Sequence, residues 1–228
     1  MSLDLDTVER ETAPEPAASV VWLHGLGADG YDFDPIVPQL RLPGGPEVRY
    51  VFPHAPVQPV TINGGMAMRA WYDIVDLRPG APQDAPGIRR SAEAVCSLIE
   101  REIERGIPAS RIVLAGFSQG GAIALHAGLR FPRRLAGIIG LSTYLPLSDT
   151  LEGEASEANR GAAVFMAHGT LDPVVPAVLG ETSQAFLSGQ GYDVTYKTYT
   201  MPHAVCPEEI EDIRRWLGLV LRGPLPPA

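Results

Sequence analysis

With 228 residues the chain is long enough for one hydrophobic core, and its 45% hydrophobic and 20% charged composition excludes a disordered or fibrous protein. Eighteen Lys and Arg against 27 Asp and Glu give a formal charge of −9. With no dense basic run, this argues against a nucleic-acid partner. No stretch approaches the roughly 18 consecutive apolar residues of a membrane span, so no integral membrane association is expected. The N-terminal residues 1–11 are acidic and lack the apolar run of a signal peptide. The two cysteines, Cys96 and Cys206, form no CxxC and no disulfide framework. The expectation is a cytoplasmic protein of one domain spanning residues 1–228.

Short apolar runs alternate with longer segments of helical period, the pattern of an α/β fold with a mostly parallel central sheet flanked by helices. Residues 1–18 read as a partly extended N-terminus, with an edge strand over 3–8. Buried strands are predicted at 19–23, 48–52, 111–117, 135–141 and 162–167, and a more exposed one near an edge at 194–199. The clearest helix is 87–105, where Ile88, Ala92, Val95, Ile99 and Ile103 recur at spacings of three and four until Gly106 and Pro108 stop it. Further helices are predicted at 119–130, 176–188 and 207–221, the last two opening on a proline suited to a first helical turn. Residues 57–76 carry weak periodicity and read as an excursion over the sheet. Residues 223–228 read as a frayed tail. No insertion is long enough for a large cap domain.

Gly116-Phe117-Ser118-Gln119-Gly120 fits G-x-S-x-G. The pattern is short, but its setting is specific: it follows a buried strand directly and opens a helix directly, as a nucleophile elbow does. A serine there sits on a strained turn with its hydroxyl lifted above the sheet, and the glycines let strand and helix pack close to the turn. The plainer reading is a helix-capping serine in a glycine-rich turn. A serine hydroxyl needs a base within hydrogen-bond reach, and the base needs an orienting acid. Where the nucleophile follows a strand in this way, the partners come in the order serine, acid, histidine. Asp172, just past the strand predicted at 162–167, stands where the acid belongs; Asp149 and Asp193 are placed worse. Of the five histidines only His203 follows Asp172, in a loop after the last strand. His168 is expected to shape the acid loop, His126 to be packed and His54 to serve a loop.

The oxyanion of an acyl-transfer intermediate needs fixed donors. The N–H of Gln119, next to Ser118, is one candidate. The N–H of Leu26, in the His24-Gly25-Leu26-Gly27 loop after the first buried strand, is the other. Residues 25–30 also fit G-x-G-x-x-G, but no acidic residue ends a second strand about 20 residues on, so dinucleotide binding is not expected. Neither H-E-x-x-H nor a Cys/His cluster is present, so no metal and no cofactor are expected.

Six segments appear together and in order: 22–27 (Trp-Leu-His-Gly-Leu-Gly), 52–56 (Phe-Pro-His-Ala-Pro) with 60–63 (Val-Thr-Ile-Asn), 70–74 (Ala-Trp-Tyr-Asp-Ile), 116–121 (Gly-Phe-Ser-Gln-Gly-Gly), 141–146 (Leu-Ser-Thr-Tyr-Leu-Pro) and 168–173 (His-Gly-Thr-Leu-Asp-Pro). In these the chain resembles the carboxylesterase, lysophospholipase and acyl-protein thioesterase family of small α/β-hydrolases. The resemblance implies hydrolysis of carboxylic esters, extending to thioesters, without a cofactor. It implies the same three residues, Ser118, Asp172 and His203. It also implies a flap at 62–71 over an acyl channel lined by Met66, Met68 and Trp71, against the plainer reading that these three pack the flap onto the core. Two departures stand out. Ala28 occupies a position where the family commonly has Asp, and Gly64-Gly65 loosens the flap. The resemblance also allows a homodimer. The other readings are a lactone hydrolase or peptidase on the same fold, and a non-catalytic acyl-binding protein. They are weakened by the serine nucleophile, the missing cap domain and the complete set of three residues.

Overall fold

The computed structural model describes residues 5–78 and 80–222. Seven strands form the central sheet in the order β1 (Thr7–Glu11), β3 (Val48–Pro53), β2 (Ala18–Leu23), β6 (Ile112–Phe117), β7 (Gly137–Leu141), β8 (Ala163–Gly169) and β9 (Asp193–Tyr199). All neighbours pair in parallel except β1, which runs antiparallel to β3. Strands β2, β3, β6 and β7 are buried at every residue. That explains why they appear in sequence as unbroken apolar runs rather than alternations: a parallel sheet is covered on both faces. β9 lies at the edge and is only half-buried, as its alternating sequence predicts.

Helices α1 (Ala85–Glu104), α2 (Gln119–Arg130) and α4 (Ala177–Gly189) cover one face, and α5 (Pro207–Val220) with the 3-10 segment Asp34–Leu40 covers the other. Between β7 and β8 stands a single helical turn, α3 (Leu151–Glu154). Side chains of adjacent positions go to opposite layers. Leu114 packs with Ile123 and Val95 on the α1–α2 side, while Val113 and Ala115 pack with Trp216 and Ile213 on the α5 side. This period of two is what the pleat dictates.

Boundaries move where caps or edge pairing decide them. α1 begins at Ala85 rather than 87, because the Asp84 carboxylate accepts the Gly87 N–H at 2.9 Å and caps the helix two residues earlier. Pro176 sits just before α4 instead of in its first turn, whereas Pro207 does open α5. The N-terminal edge strand lies at Thr7–Glu11, not 3–8, and residues 1–4 are outside the described residues. Its position is fixed by pairing with β3, by Val8 buried in the core and by ion pairs: Glu11 with Arg49 at 2.8 Å, and Glu9 with Arg101 and Arg105 at 3.0 Å each. The predicted frayed tail, 223–228, also falls outside the described residues.

Residues 57–76 do leave the sheet. They fold into a two-stranded antiparallel hairpin, β4 (Val57–Val60) and β5 (Met66–Arg69), joined through a 3-10 turn at Thr61–Asn63. Gly64 and Gly65, at φ 67° and 78°, complete the reversal. Those left-handed angles strain any residue with a Cβ, so the glycine pair meets the needs of the turn.

Candidate active site

Ser118 joins β6 to α2 with φ 54° and ψ −121°, a strained conformation for a residue with a side chain. Its hydroxyl does not cap α2. The turn closes only because its neighbours lack side chains. A Cβ on Gly120 would stand 2.5 Å from the carbonyl oxygens of both Leu23 and His24, and one on Gly116 would collide with the backbone of Gly120. Both clashes are with backbone, so neither relaxes cheaply. Gly120→Ala is expected to cost about 3 kcal/mol or more by overpacking. At about 2–4 °C per kcal/mol for a chain of this size, the melting temperature should fall by roughly 10 °C. A variant melting within 2 °C of wild type in calorimetry would contradict this account of the turn.

His203 lies over Ser118 from the loop between β9 and α5. Its Nε2 is 2.9 Å from Ser118 Oγ, and its Nδ1 is 2.6 Å from Asp172 Oδ2. Its ring packs on Phe117, centroids 4.7 Å apart. The Asp172 side chain is fully buried in the turn after β8, where Oδ1 accepts the N–H groups of Val174 at 2.8 Å and Val175 at 2.9 Å. A carboxylate beside Nδ1 keeps the proton there and leaves Nε2 free to accept from the serine. The structure thus brings together the serine, acid and histidine that chain order selects. His168 braces the acid loop: its Nε2 donates to the Val175 carbonyl at 2.9 Å and stands 3.4 Å from Asp172 Oδ2. His54 accepts the Gly30 N–H, and His126 is buried against α1.

The 24–27 loop curls beside the elbow. His24 is almost wholly buried, with Nδ1 donating to the Gly25 carbonyl at 2.7 Å and Nε2 accepting the Ala55 N–H at 3.0 Å. Its backbone carbonyl accepts the Trp71 indole N–H at 2.9 Å. These bonds fix the loop that presents Leu26. No backbone acceptor among the described residues takes up the Leu26 or Gln119 N–H, and both residues border the cavity beside Ser118. Burial lowers the His24 imidazole from 6.5 to about 4. The folded state therefore holds His24 neutral while the unfolded chain protonates below pH 6.5. Stability is fully present above pH 6.5 and is lost as pH falls towards 4, by on the order of 3 kcal/mol for this one group. Urea midpoints taken from pH 7 to 4 should fall for wild type. A midpoint that stays flat over that range would remove His24 as an acid trigger.

The cavity has a volume of about 140 Å3, with walls from Leu26, Ile62, Asn63, Tyr72, Ile74, Leu77, Tyr144, Val174 and Val175. The three residues predicted to line an acyl channel are not in this wall. Met66 is 64% exposed on the hairpin, Met68 lies beside Gly27 with its sulfur near the Asn63 amide, and Trp71 is 1% exposed. Trp71 is a strut: its indole holds His24, its N–H donates to Gln119 Oε1 at 2.8 Å, and its carbonyl accepts the Ser91 hydroxyl. The Gln119 amide also donates to the Tyr72 carbonyl at 2.7 Å, so the side chain beside Ser118 clasps the base of the excursion. Tyr72 and Tyr144 went unassigned from sequence although both sit inside the motif segments 70–74 and 141–146. Their signal was proximity to the motifs, not any pattern of their own.

Few architectures put a serine on a strained turn after a central parallel strand and hang a histidine over it from the loop after the last strand. The α/β-hydrolases do, and this chain is one of them. It belongs to the phospholipase/carboxylesterase family, which it matches over residues 5–221. It is 41% identical to acyl-protein thioesterase 1 of Gibberella zeae over 224 residues, 94% of each chain. It is 40% identical to acyl-protein thioesterase 1 of Cryptococcus neoformans over 222 residues, 90% of this chain and 93% of that one. Among solved structures, Zea mays acyl-protein thioesterase 2 superposes with a TM-score of 0.83 at 31% identity, covering 94% of this chain and 99% of that one. Arabidopsis thaliana SOBER1 superposes with a TM-score of 0.84 at 30% identity, covering 90% and 99%. The chain is a serine hydrolase acting on acyl esters. No helix among the described residues is long and apolar enough to cross a membrane.

Proposed function

We propose that Ser118 attacks the acyl carbonyl while His203 Nε2 takes its proton, and that Asp172 holds His203 in the tautomer that can do so. His203 then gives the proton to the departing oxygen or sulfur, leaving an acyl group on Ser118. Water, activated by the same Nε2, releases the acid and restores the serine. The Leu26 and Gln119 N–H groups receive the negative oxygen of each tetrahedral intermediate. The observation that carries this reading is the unbroken chain of hydrogen bonds from Asp172 through His203 to Ser118, 2.6 and 2.9 Å long, ending at an apolar cavity.

The natural substrate is read as a thioester on an acylated protein. Two fungal relatives that carry that name, each about 40% identical, support it. A fluorophosphonate probe followed by mass spectrometry tests the chemistry: a single adduct on Ser118 is expected, and an adduct elsewhere would overturn it. Matched peptides acylated on Cys or on Ser test the leaving group, with faster release from Cys expected. A cytoplasmic location belongs to the same reading, supported by the two unpaired thiols Cys96 and Cys206. So does a homodimer through Val57, Ile62 and Met66, exposed on the hairpin. Fractionation of the source cells tests the first, and sedimentation at micromolar concentration tests the second.

A further inference from the structure

Next to the cavity at Ser118 is a second one of about 340 Å3, with Leu77, Tyr144, Leu179 and Phe186 as its bulky apolar lining and Asp76 and Arg78 as its charged one. Leu77 and Tyr144 belong to both walls. The Tyr144 hydroxyl lies 2.9 Å from the Tyr72 hydroxyl. Tyr72 is itself held: it is 2% exposed, and its carbonyl accepts the Gln119 amide. On the other side of Tyr144, the Leu145 N–H donates to Ser183 Oγ at 2.8 Å, tying this segment to α4. Burial raises both phenols, so the pair stays protonated at neutral pH. The ring of Tyr144 is thus a tethered wall between two spaces of unequal size.

We propose that Tyr144, held by Tyr72, is the partition that sets acyl length: with the hydroxyl pair closed the acyl chain is confined to the cavity beside Ser118, and a longer chain enters the second cavity only when the pair opens. Taking about 30 Å3 for a water-sized group, the first cavity holds roughly five carbons and the second adds room for about ten more. The partition deepens the acyl-esterase reading of Ser118 and rests on it. Its physical logic is that a part-buried hydroxyl pair costs free energy to break without replacement partners, so the wall yields only to a chain that gains enough apolar contact beyond it.

The test is kcat/KM for p-nitrophenyl esters from two to sixteen carbons, measured on wild type, Tyr144→Ala and the double variant Tyr72→Phe/Tyr144→Phe. Wild type should peak at four to six carbons. Tyr144→Ala should raise the ratio of twelve-carbon to four-carbon turnover by about tenfold or more, and the double variant, which keeps both rings and leaves no unpaired hydroxyl, by severalfold. The double variant decides the matter if Tyr144→Ala does not fold. A wild type that already prefers twelve carbons, or variants that change every ester in parallel, would overturn the partition while leaving the esterase reading intact. A wild type inert on all esters would instead sink that reading, and the partition with it.

Discussion

Ser118→Ala is expected to lower kcat on p-nitrophenyl butyrate by about 10⁶, the scale on which removing such a nucleophile acts. The fold should be untouched, because the Ser118 hydroxyl caps no helix and, among the described residues, its one side-chain partner is His203 Nε2. What survives is the turnover that bound water and the two backbone donors achieve without an acyl-enzyme, about 10³-fold over water in comparable hydrolases. Steady-state rates with a titrated enzyme concentration check it. Retention of more than about 1% of wild-type kcat would mean that another group attacks the carbonyl, since that is four decades above the expected residue.

The second large effect is Asp172→Asn, and here direction follows from geometry. Val174 and Val175 donate two N–H groups to Asp172 Oδ1. An asparagine must keep its carbonyl oxygen there, since an amide nitrogen would face two donors. Its NH2 is then forced towards His203 Nδ1, where it donates rather than accepts. The imidazole responds by carrying its proton on Nε2, and the nitrogen facing Ser118 can no longer accept one. The same exchange in serine proteases costs about 10⁴ in kcat through this tautomer reversal. A drop of that size with KM nearly unchanged is expected, together with loss of fluorophosphonate labelling at Ser118. A fall of less than tenfold would show that Asp172 only packs the loop.

How much of this was legible in sequence depends on what each segment packs against. β2, β3, β6 and β7 stood out as apolar runs because both their faces are buried. The Ser118, Asp172 and His203 positions could be named because each follows a strand at the same end of a parallel sheet, so chain order becomes spatial neighbourhood. The β4–β5 hairpin left no such trace. Val60 is the one fully buried residue among its eight strand residues, and Pro59 interrupts it, so no alternation of apolar and polar residues marks the strands. The 3-10 segment Asp34–Leu40 was hidden for a related reason: Pro35 and Pro38 break any helical period. Met66, Met68 and Trp71 are the large apolar residues between 64 and 71, but residue type alone does not reveal direction. The register pairs Met66 with Val60 and Met68 with Gln58, and it is Ile62 and Asn63 of the turn that reach the cavity.

The clasp made by Gln119 gives the excursion a particular kind of independence. Its base is bolted at several points: Gln119 to Trp71 and Tyr72, Arg69 Nη1 to the Ala55 carbonyl, Gln58 to the Ala70 carbonyl, and Gly27 N–H to the Arg69 carbonyl. The tip from Thr61 to Gly65 is held by local bonds, by the Asp73 carboxylate and by the Ile74 carbonyl, which accepts the Ile62 N–H at 2.7 Å. None of the tip's bonds reaches the residues that flank Ser118, so its composition can change without displacing the peptide group there. In evolutionary terms the molecule carries part of its cavity wall, Ile62 and Asn63, on a replaceable segment while the residues around Ser118 are held from elsewhere, so descendants of one ancestor could reshape that wall by rewriting five residues while inheriting the chemistry whole.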